Sequence, residues 1–342
     1  MSNLNQSQEM SLRIIKAGVF DTIQDQGRYG FQYLGINPGG PMDRFSAQAV
    51  NMLVGNDLHE PMIEMHFPAS VFLFDQETMI AIGGADFSAT INGDDIPLWQ
   101  PVITAKNSVL QFQKWRQGAR CYLAVKEKLN IQKWLDSYST NLKAASGGLK
   151  GRGLQKDDII DFKEKNAYTT FLRENDILIL PWKADTAWND APADRIAVVP
   201  GNEWDWLTGE ARDKFLSESF VIDSLADRMG YRLRGNVEAK KNGELVSAGV
   251  TFGTVQLLPN GELIILMADH QTTGGYPRIA HIVSVHLPIL AQKQPGDVIH
   301  FRLTNQQHAE ELLLLQQQHL LQLQNACKFR FEEFLNTANA HR

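Results

Sequence analysis

The chain has 342 residues, a formal net charge of −6, 43% hydrophobic residues and two cysteines. This length predicts two domains, and the composition is typical of a globular core. The charge balance argues against a nucleic-acid-binding surface, and Cys121 and Cys327 are too far apart in sequence to indicate a disulfide framework or a zinc site. The polar first ten residues and the lack of a long apolar run predict a cytoplasmic protein without a membrane segment.

Residues 1–10 are predicted to form a flexible tail, and residues 11–185 a first β-barrel domain. Short runs rich in β-branched and aromatic residues alternate with Gly, Pro, Asn and Asp, which is typical of strands in barrels or sandwiches. The strands predicted in this half are 11–15, 71–74, 79–82, 88–91, 109–112, 120–125 and 177–180. Apolar residues at helical spacing predict one helix over residues 42–53.

Residues 183–194 lack apolar periodicity and contain Pro and repeated Ala and Asp, so they are predicted to link two domains. A second β-barrel domain is predicted over residues 195–305, with strands at 195–199, 254–258, 263–267 and 298–303 and a short helix at 210–215. Residues 306–342 are predicted to form a long amphipathic helix, because Leu313, Leu320, Cys327 and Phe334 recur every seven residues. That helix could pack on its own barrel or against a partner.

The segment 268–277 concentrates groups that could bind a small polar ligand. A run that should be buried ends at Asp269, and the loop that follows presents the side chains and backbone of Gln271, Thr272, Thr273, Gly274, Gly275 and Tyr276. The glycine pair can adopt backbone angles that let successive N–H groups converge on an oxyanion. The alternative is a tight turn whose hydroxyl groups bind their own backbone.

Four further segments combine charge with glycine. Asp25 and Arg28 could pair in a turn, or Arg28 could bind a carboxylate or phosphate as a planar donor. Asp227 and Arg228 precede Met229-Gly230, where an arginine could hold an anion, although Arg232 and Arg234 could simply face solvent along a strand. Asp86 follows a glycine pair and could line a pocket. The segment 147–153 could cradle a phosphate, but no strand and helix flank it as in a P-loop.

Common catalytic motifs are absent from the sequence. It contains no GxxxxGK[ST], GxGxxG, GxSxG or HExxH motif and no Ala-Met-Lys-Met biotinylation sequence. The histidines are dispersed, and none of them predicts a metal site. Any nucleotide or biotin must therefore bind at an unusual site or be supplied by another chain.

Several of these segments together resemble the family of the 5-oxoprolinase C subunit, also called the allophanate hydrolase subunit 2 or KipA family. The matching blocks include FDTIQDQGR (20–28), GINPGGPMD (35–43), AVNMLVGN (49–56), GADF (84–87), GARCYLAV (118–125), DRMGYRL (227–233), SAGV (247–250), GTVQ (253–256), MAD (267–269), QTTGGYP (271–277) and PGD (295–297). They follow one order from about residue 11 to about residue 310.

The resemblance implies a mainly β fold of two cyclophilin-like β-barrel units, with few short helices and a long C-terminal helix. It also implies two partners, the 5-oxoprolinase B subunit, which is of the KipI family, and the A subunit. With these partners the complex would open 5-oxoproline to L-glutamate at the expense of ATP, with Mg, bound at sites shared with the partners. We expect the single chain to be inactive.

Two other functions fit the same resemblance. One is a biotin-dependent carboxyltransferase subunit that acts on urea or a related amide, and the other is a KipA-like regulator that binds a kinase inhibitor. In the enzymatic interpretation, Asp269 or Asp227 acts as a base and Arg28 or Arg228 holds a carboxylate or phosphate. Substrate contacts are expected from Asp25, Asp86, Gln271, Thr272, Thr273, Gly274, Gly275 and Tyr276, where hydroxyl and amide groups would hold a developing oxyanion.

Overall fold

The structure, a computed structural model, describes residues 10–165, 168–172, 176–186, 194–239 and 245–340. Most of the predicted N-terminal tail and residues 187–193 of the predicted linker lie outside these ranges. The described chain divides into two compact units. The first contains residues 10–26, 45–186 and 320–340, and the second contains residues 27–44 and 194–319. Residues 27–44, grouped by sequence with the first domain, thus belong to the second unit.

The first unit consists of two six-stranded sheets, with strand orders β11-β1-β4-β9-β6-β7 and β12-β8-β5-β10-β3-β2. The strands are β1 (Ser11–Lys16), β2 (Thr22–Gln24), β3 (Met62–Met65), β4 (Val71–Phe74), β5 (Thr78–Asp86), β6 (Ala89–Ile91), β7 (Asp94–Asp95), β8 (Val102–Thr104), β9 (Val109–Phe112), β10 (Gln117–Val125), β11 (Ile159–Asp161) and β12 (Ile177–Ile179).

The alternation of side chains along a strand explains how the first unit fills two cores. On β5, Ile80 and Ile82 belong to the core that includes residues of both sheets, whereas Met79 and Ala81 belong to a second core with the helices. Two of these helices are α1 (Arg44–Leu53) and α2 (Thr169–Leu172), and the third is the C-terminal helix described below. Because both faces of this sheet are buried, its strands read as nearly continuous apolar runs in the sequence.

The second unit is a closed seven-stranded barrel of order β13-β20-β17-β18-β15-β14-β21 with a separate two-stranded ribbon, β16-β19. Its strands are β13 (Arg195–Pro200), β14 (Ser219–Ile222), β15 (Gly230–Arg234), β16 (Ala248–Gly249), β17 (Thr254–Leu257), β18 (Leu263–Leu266), β19 (Thr273–Gly274), β20 (Arg278–Ile282) and β21 (Val298–Leu303). Its short helices are α3 (Gly209–Ser217) and α4 (Leu287–Ala291). The mainly β class expected from the sequence is confirmed.

The barrel interior is filled by every second residue of its strands. Tyr231 and Leu233 of β15 and Val255 and Leu257 of β17 belong to this core. Met42, from the 27–44 segment, is fully buried in the same core. The residues between these positions point to the outer face of the barrel wall, and they matter for the site described below.

The C-terminal helix α5 (Gln306–Ala340) has 35 residues. Ala309, Leu312 and Leu313 pack on apolar residues of the second unit, whereas the part beyond residue 320 packs in the first unit through Leu323 and Cys327. The helix predicted over residues 306–342 forms over residues 306–340, and residues 341–342 lie outside the described ranges. Its heptad positions pack against apolar residues of the chain. Among the described residues, no helix is long and apolar enough to cross a membrane.

Candidate functional site

The loops at one end of β15 and β18 bring Arg228 and Asp269 together. Arg228 Nε lies 2.7 Å from Asp269 Oδ2, and Arg228 Nη2 lies 3.0 Å from Oδ1. The backbone supports this pairing, because the Asp269 N–H donates to the Arg228 carbonyl over 2.8 Å. Arg228 is 5% exposed. This two-point arrangement fixes the guanidinium plane and places a largely buried ion pair in the second unit.

The same arginine holds the glycine turn of the 27–44 segment. Arg228 Nη2 donates to the Gly40 carbonyl over 2.6 Å. Gly39 and Gly40 have φ of 63° and 90°, which favours glycine at both positions. A Cβ atom on Gly39 would lie 3.3 Å from Arg28 Nη1 and 3.6 Å from Asp269 Oδ1. The sequence-predicted residues Arg28, Arg228 and Asp269 are thus brought together around this turn.

Asp227 has a different environment from Asp269. Its side chain is exposed, and Oδ1 accepts hydrogen bonds from the N–H groups of Met229 at 2.8 Å and Gly230 at 3.1 Å. Such a contact is typical of an aspartate that closes a turn. Asp227 therefore shapes the turn that precedes β15 and positions the neighbouring Arg228.

Asp25 and Asp86 lie in the first unit, whereas Arg28 belongs to the second. The buried Asp25 carboxylate accepts hydrogen bonds from Ser137 Oγ and Ser139 Oγ, each at 2.6 Å, and from the Tyr138 N–H at 2.7 Å. Asp86 accepts from the Ser88 N–H at 2.8 Å and lies 3.7 Å from Arg116 Nη1. These contacts give Asp25 and Asp86 local roles in holding loops of the first unit.

The 271–277 segment provides one strand of the two-stranded ribbon β16–β19 in the second unit. Thr273 and Gly274 form β19, which pairs with Gly249 and Ala248 of β16. The Thr272 carbonyl accepts from the Val250 N–H at 3.1 Å, and the Pro277 carbonyl accepts from the Leu257 N–H at 2.9 Å. The ribbon is therefore anchored at both ends, and its exposed Gln271 and Tyr276 side chains are held beside the barrel wall.

A cavity of about 330 Å³ lies between this ribbon and the outer face of the barrel. Gln271 and Tyr276 from the ribbon contribute to its lining. The other lining residues are Met229, Arg232, Gln256, Leu258, Pro259, Asn260, Ile264 and Leu266. A small ligand with both an apolar ring and hydrogen-bonding groups would fit such a lining.

Strand register explains why an arginine, an isoleucine and a glutamine lie in one row along the cavity. Arg232 of β15 is directly opposite Ile264 of β18, and Ile264 is opposite Gln256 of β17. The three side chains share the outer face because their sequence neighbours fill the barrel interior. Gln256 is 1% exposed, and its Nε2 lies 3.5 Å from the Tyr276 carbonyl.

Sequence reasoning assigned Gln271 and Tyr276 to the site but not Arg232 or Gln256. The detectable signal was the alternation in 231–233, where an arginine separates two apolar residues. That pattern shows that Arg232 points out of the barrel, but not what covers the outer face.

Two histidines of the second unit, His270 and His281, are kept neutral near pH 7 by their surroundings. Burial lowers the pKa of His270, which directly precedes Gln271. Burial and then the nearby Arg278 lower the pKa of His281. Arg278 itself is paired with Glu203, with Nη2 to Oε1 at 2.8 Å and Nε to Oε2 at 3.0 Å. Near neutral pH the imidazoles can therefore accept or donate hydrogen bonds without carrying charge.

The glycine-rich segment 147–153 packs closely against neighbouring residues of the first unit. A Cβ atom on Gly151 would lie 2.0 Å from the Ala145 carbonyl oxygen, so this glycine permits close backbone packing. Arg152 donates to both carboxylate oxygens of Asp158 at 2.7 Å. Within the described ranges, no three His, Cys, Asp or Glu residues form a group that could hold a metal ion.

Comparisons with known proteins agree with this architecture. A family model described as "Carboxyltransferase domain, subdomain A and B" matches residues 34–303. The chain is 34% identical over 295 residues to a protein of Escherichia coli (strain K12) named as the C subunit of 5-oxoprolinase, covering 85% of this chain and 90% of that protein.

Fungal urea amidolyases are a second group of relatives. The Saccharomyces cerevisiae urea amidolyase is 30% identical over 316 residues, covering 87% of this chain but only 17% of that protein. The solved structure of the K. lactis urea amidolyase superimposes with a TM-score of 0.85 at 24% identity, covering 94% of this chain and 20% of that chain. That likeness supports the fold, and the chain spans only a small part of the fungal proteins.

Proposed function

Since the chain belongs to the family of carboxyltransferase domains with subdomains A and B, we propose that it is the C subunit of an ATP-dependent 5-oxoprolinase. The complex would open the lactam ring of 5-oxoproline to give L-glutamate. The observation that carries this proposal is the 34% identity to a protein named as the C subunit of 5-oxoprolinase, over 90% of that protein's length.

The chemistry of the second unit is compatible with this reaction. A lactam is planar and poorly reactive, so an enzyme must orient the ring and stabilise charge that develops on its oxygen. The cavity offers neutral amides, a phenol and a guanidinium beside an apolar wall. In the proposed reaction this chain binds and orients the substrate, while its B and A partners bind ATP with its Mg.

A second candidate function follows from the urea amidolyase relatives. In this alternative the same cavity binds urea or another small amide, and a biotin carried by another protein supplies the carboxyl group. Both functions need a planar amide held by side-chain hydrogen bonds. They differ in whether the substrate itself carries a carboxylate.

A reconstitution experiment tests the proposal. We expect ATP hydrolysis coupled to glutamate formation when the chain is combined with its A and B partners, and not from the chain alone or with the B partner only. The motivation is that the sequence contains none of the common nucleotide-binding motifs, and that Arg152 of the glycine-rich segment 147–153 is paired with Asp158. Measurement of ADP and glutamate in parallel distinguishes coupled turnover from contaminating ATPase activity.

Two results would contradict this assignment. Robust 5-oxoproline turnover by the purified single chain would place a nucleotide site within it. Urea-dependent consumption of carboxybiotin by the complex, with no glutamate formed from 5-oxoproline, would favour the second candidate.

A further inference from the structure

We propose that the cavity on the outer wall of the second barrel is the 5-oxoproline-binding site, with Arg232 as the residue that selects a carboxylate-bearing lactam over a neutral amide. This inference rests on the proposed function and adds the residues that would recognise the substrate. Arg232, Ile264 and Gln256 form a row across three neighbouring strands, and Gln271 and Tyr276 face them from the ribbon.

Arg232 can bind a carboxylate from this position. Its side chain is 46% exposed, and Nη1 lies 3.9 Å from Glu262 Oε2, whose side chain is 36% exposed. Exposed ion pairs of this length are weak, so the guanidinium can turn toward a ligand. A guanidinium also matches the geometry of a carboxylate through two parallel N–H donors.

The remaining lining matches the other parts of the same molecule. Ile264, Leu258 and Leu266 provide an apolar surface for the methylene groups of a five-membered ring. Gln256 and Gln271 have both a carbonyl and an amino group, so they can pair with the lactam N–H and C=O. The almost fully buried Gln256 is held near the Tyr276 carbonyl, which limits the directions its amide can take.

The test compares Arg232→Gln with Arg234→Gln. Both changes remove one positive charge from the same face of β15, but Arg234 pairs with Asp223 at 2.8 Å and is 62% exposed. Binding of 5-oxoproline and of 2-pyrrolidinone, the same lactam without its carboxylate, is measured by calorimetry on the full chain with its two partners.

We expect Arg232→Gln to weaken 5-oxoproline binding by about 10- to 100-fold, because a charge-assisted hydrogen-bonded contact is lost. The affinity for 2-pyrrolidinone should be unchanged, and Arg234→Gln should resemble the wild type. Equal effects of the two variants on 5-oxoproline would overturn the inference, as would an equal loss of both ligands in Arg232→Gln.

Turnover separates this inference from the proposed function. If the complex converts 5-oxoproline with the same KM when Arg232→Gln is present, the function stands and the cavity is not its binding site. If the wild-type complex forms no glutamate but binds 5-oxoproline in an Arg232-dependent way, the binding site stands and the proposed reaction fails.

Discussion

Arg228 and Asp269 illustrate how a polar pair can organise a loop far away in sequence. The pair is largely buried, and Arg228 also donates to the Gly40 carbonyl. Removal of one partner from a buried ion pair leaves a charge without compensation, which destabilises a fold strongly. The adjacent Asp227, in contrast, is exposed and accepts from the backbone N–H groups of its own turn.

Substitution of Asp269 and Asp227 by asparagine should therefore have unequal effects. We expect Asp269→Asn to lower the free energy of unfolding by about 3–5 kcal/mol, because the Arg228 charge stays buried. Asp227→Asn should lower it by no more than about 1 kcal/mol, since the asparagine oxygen can still accept in the turn. Urea unfolding of the full chain measures both values, and similar losses would disprove the structural role assigned to the Arg228–Asp269 pair.

Sequence patterns could identify Arg28, Arg228 and Asp269 as unusual residues but not as neighbours. Residues 228 and 269 are paired although they are 41 positions apart, and only the strand register of the barrel determines that contact. The roles proposed for Asp227 and Asp269 as bases and for Arg28 and Arg228 as anion-binding groups stay predictions. The sequence groups Asp25 and Asp86 with these residues because each aspartate lies close to glycine. Such a local pattern carries no information about which unit a loop joins.

At the level of elements, the β16–β19 ribbon determines the shape of the cavity. Gly274 lies so close to β17 that a Cβ atom there would be 2.6 Å from Gln256 Nε2. On the paired strand, Gly249 lies opposite Thr273, next to the residue that faces Gly274, and a Cβ atom on Gly249 would have no atom within 4 Å. The two glycines thus offer a matched pair of substitutions within one ribbon.

Gly274→Ala should impair ligand binding without unfolding the barrel. The added methyl group must displace the flexible end of Gln256, so we expect about tenfold weaker binding of 5-oxoproline, equivalent to one hydrogen bond. The free energy of unfolding should change by less than about 1 kcal/mol, because an alanine also restricts the unfolded chain. Calorimetry and urea unfolding are measured on both variants, with Gly249→Ala as the control.

Unaltered binding in Gly274→Ala would show that Gln256 does not contact the ligand. Weaker binding in both variants would assign the effect to the ribbon backbone instead.

Element prediction succeeded where the periodic signal was strong. The predicted strand at 298–303 coincides with β21 (Val298–Leu303), and helix α5 starts at the predicted residue 306. The ribbon was not predicted, because its strands have two residues each and contain glycine. Such short pairs are stabilised by the barrel wall they cover, and not by their own sequence.

For the whole molecule, the two units should respond to acid in opposite directions. Asp21, in the first unit, is buried, and this burial raises its pKa to about 6 despite hydrogen bonds from Ser70 and His66. The folded first unit therefore binds a proton more readily than the unfolded chain. The contribution of Asp21 to the free energy of unfolding is fully present below the ordinary pKa of 3.8 and is lost as the pH rises through about 6.

The second unit contains three histidines with lowered pKa values. Burial lowers the pKa of His286 to about 4, helped by the nearby Arg302, and burial also lowers the pKa values of His270 and His281. The unfolded chain therefore binds protons more readily at these positions. The contribution of these histidines to the free energy of unfolding is present above the ordinary pKa of 6.5 and is lost as the pH falls below it, for His286 as the pH falls through about 4.

Acidification from pH 7 to pH 5 should consequently loosen the second unit before the first. Complete protonation of Asp21 raises the free energy of unfolding by about 3 kcal/mol, and complete protonation of His286 lowers it by about the same amount. Part of each change occurs between pH 7 and pH 5. Hydrogen exchange of the full chain, corrected for the pH dependence of intrinsic exchange, should show lower protection in β13–β21 and retained protection in β1–β12.

His286→Gln should reduce the loss of protection in the second unit, and Asp21→Asn should remove the gain in stability of the first unit. An equal loss of protection in both units, or an unchanged response in His286→Gln, would show that these buried groups do not control the acid sensitivity of the protein.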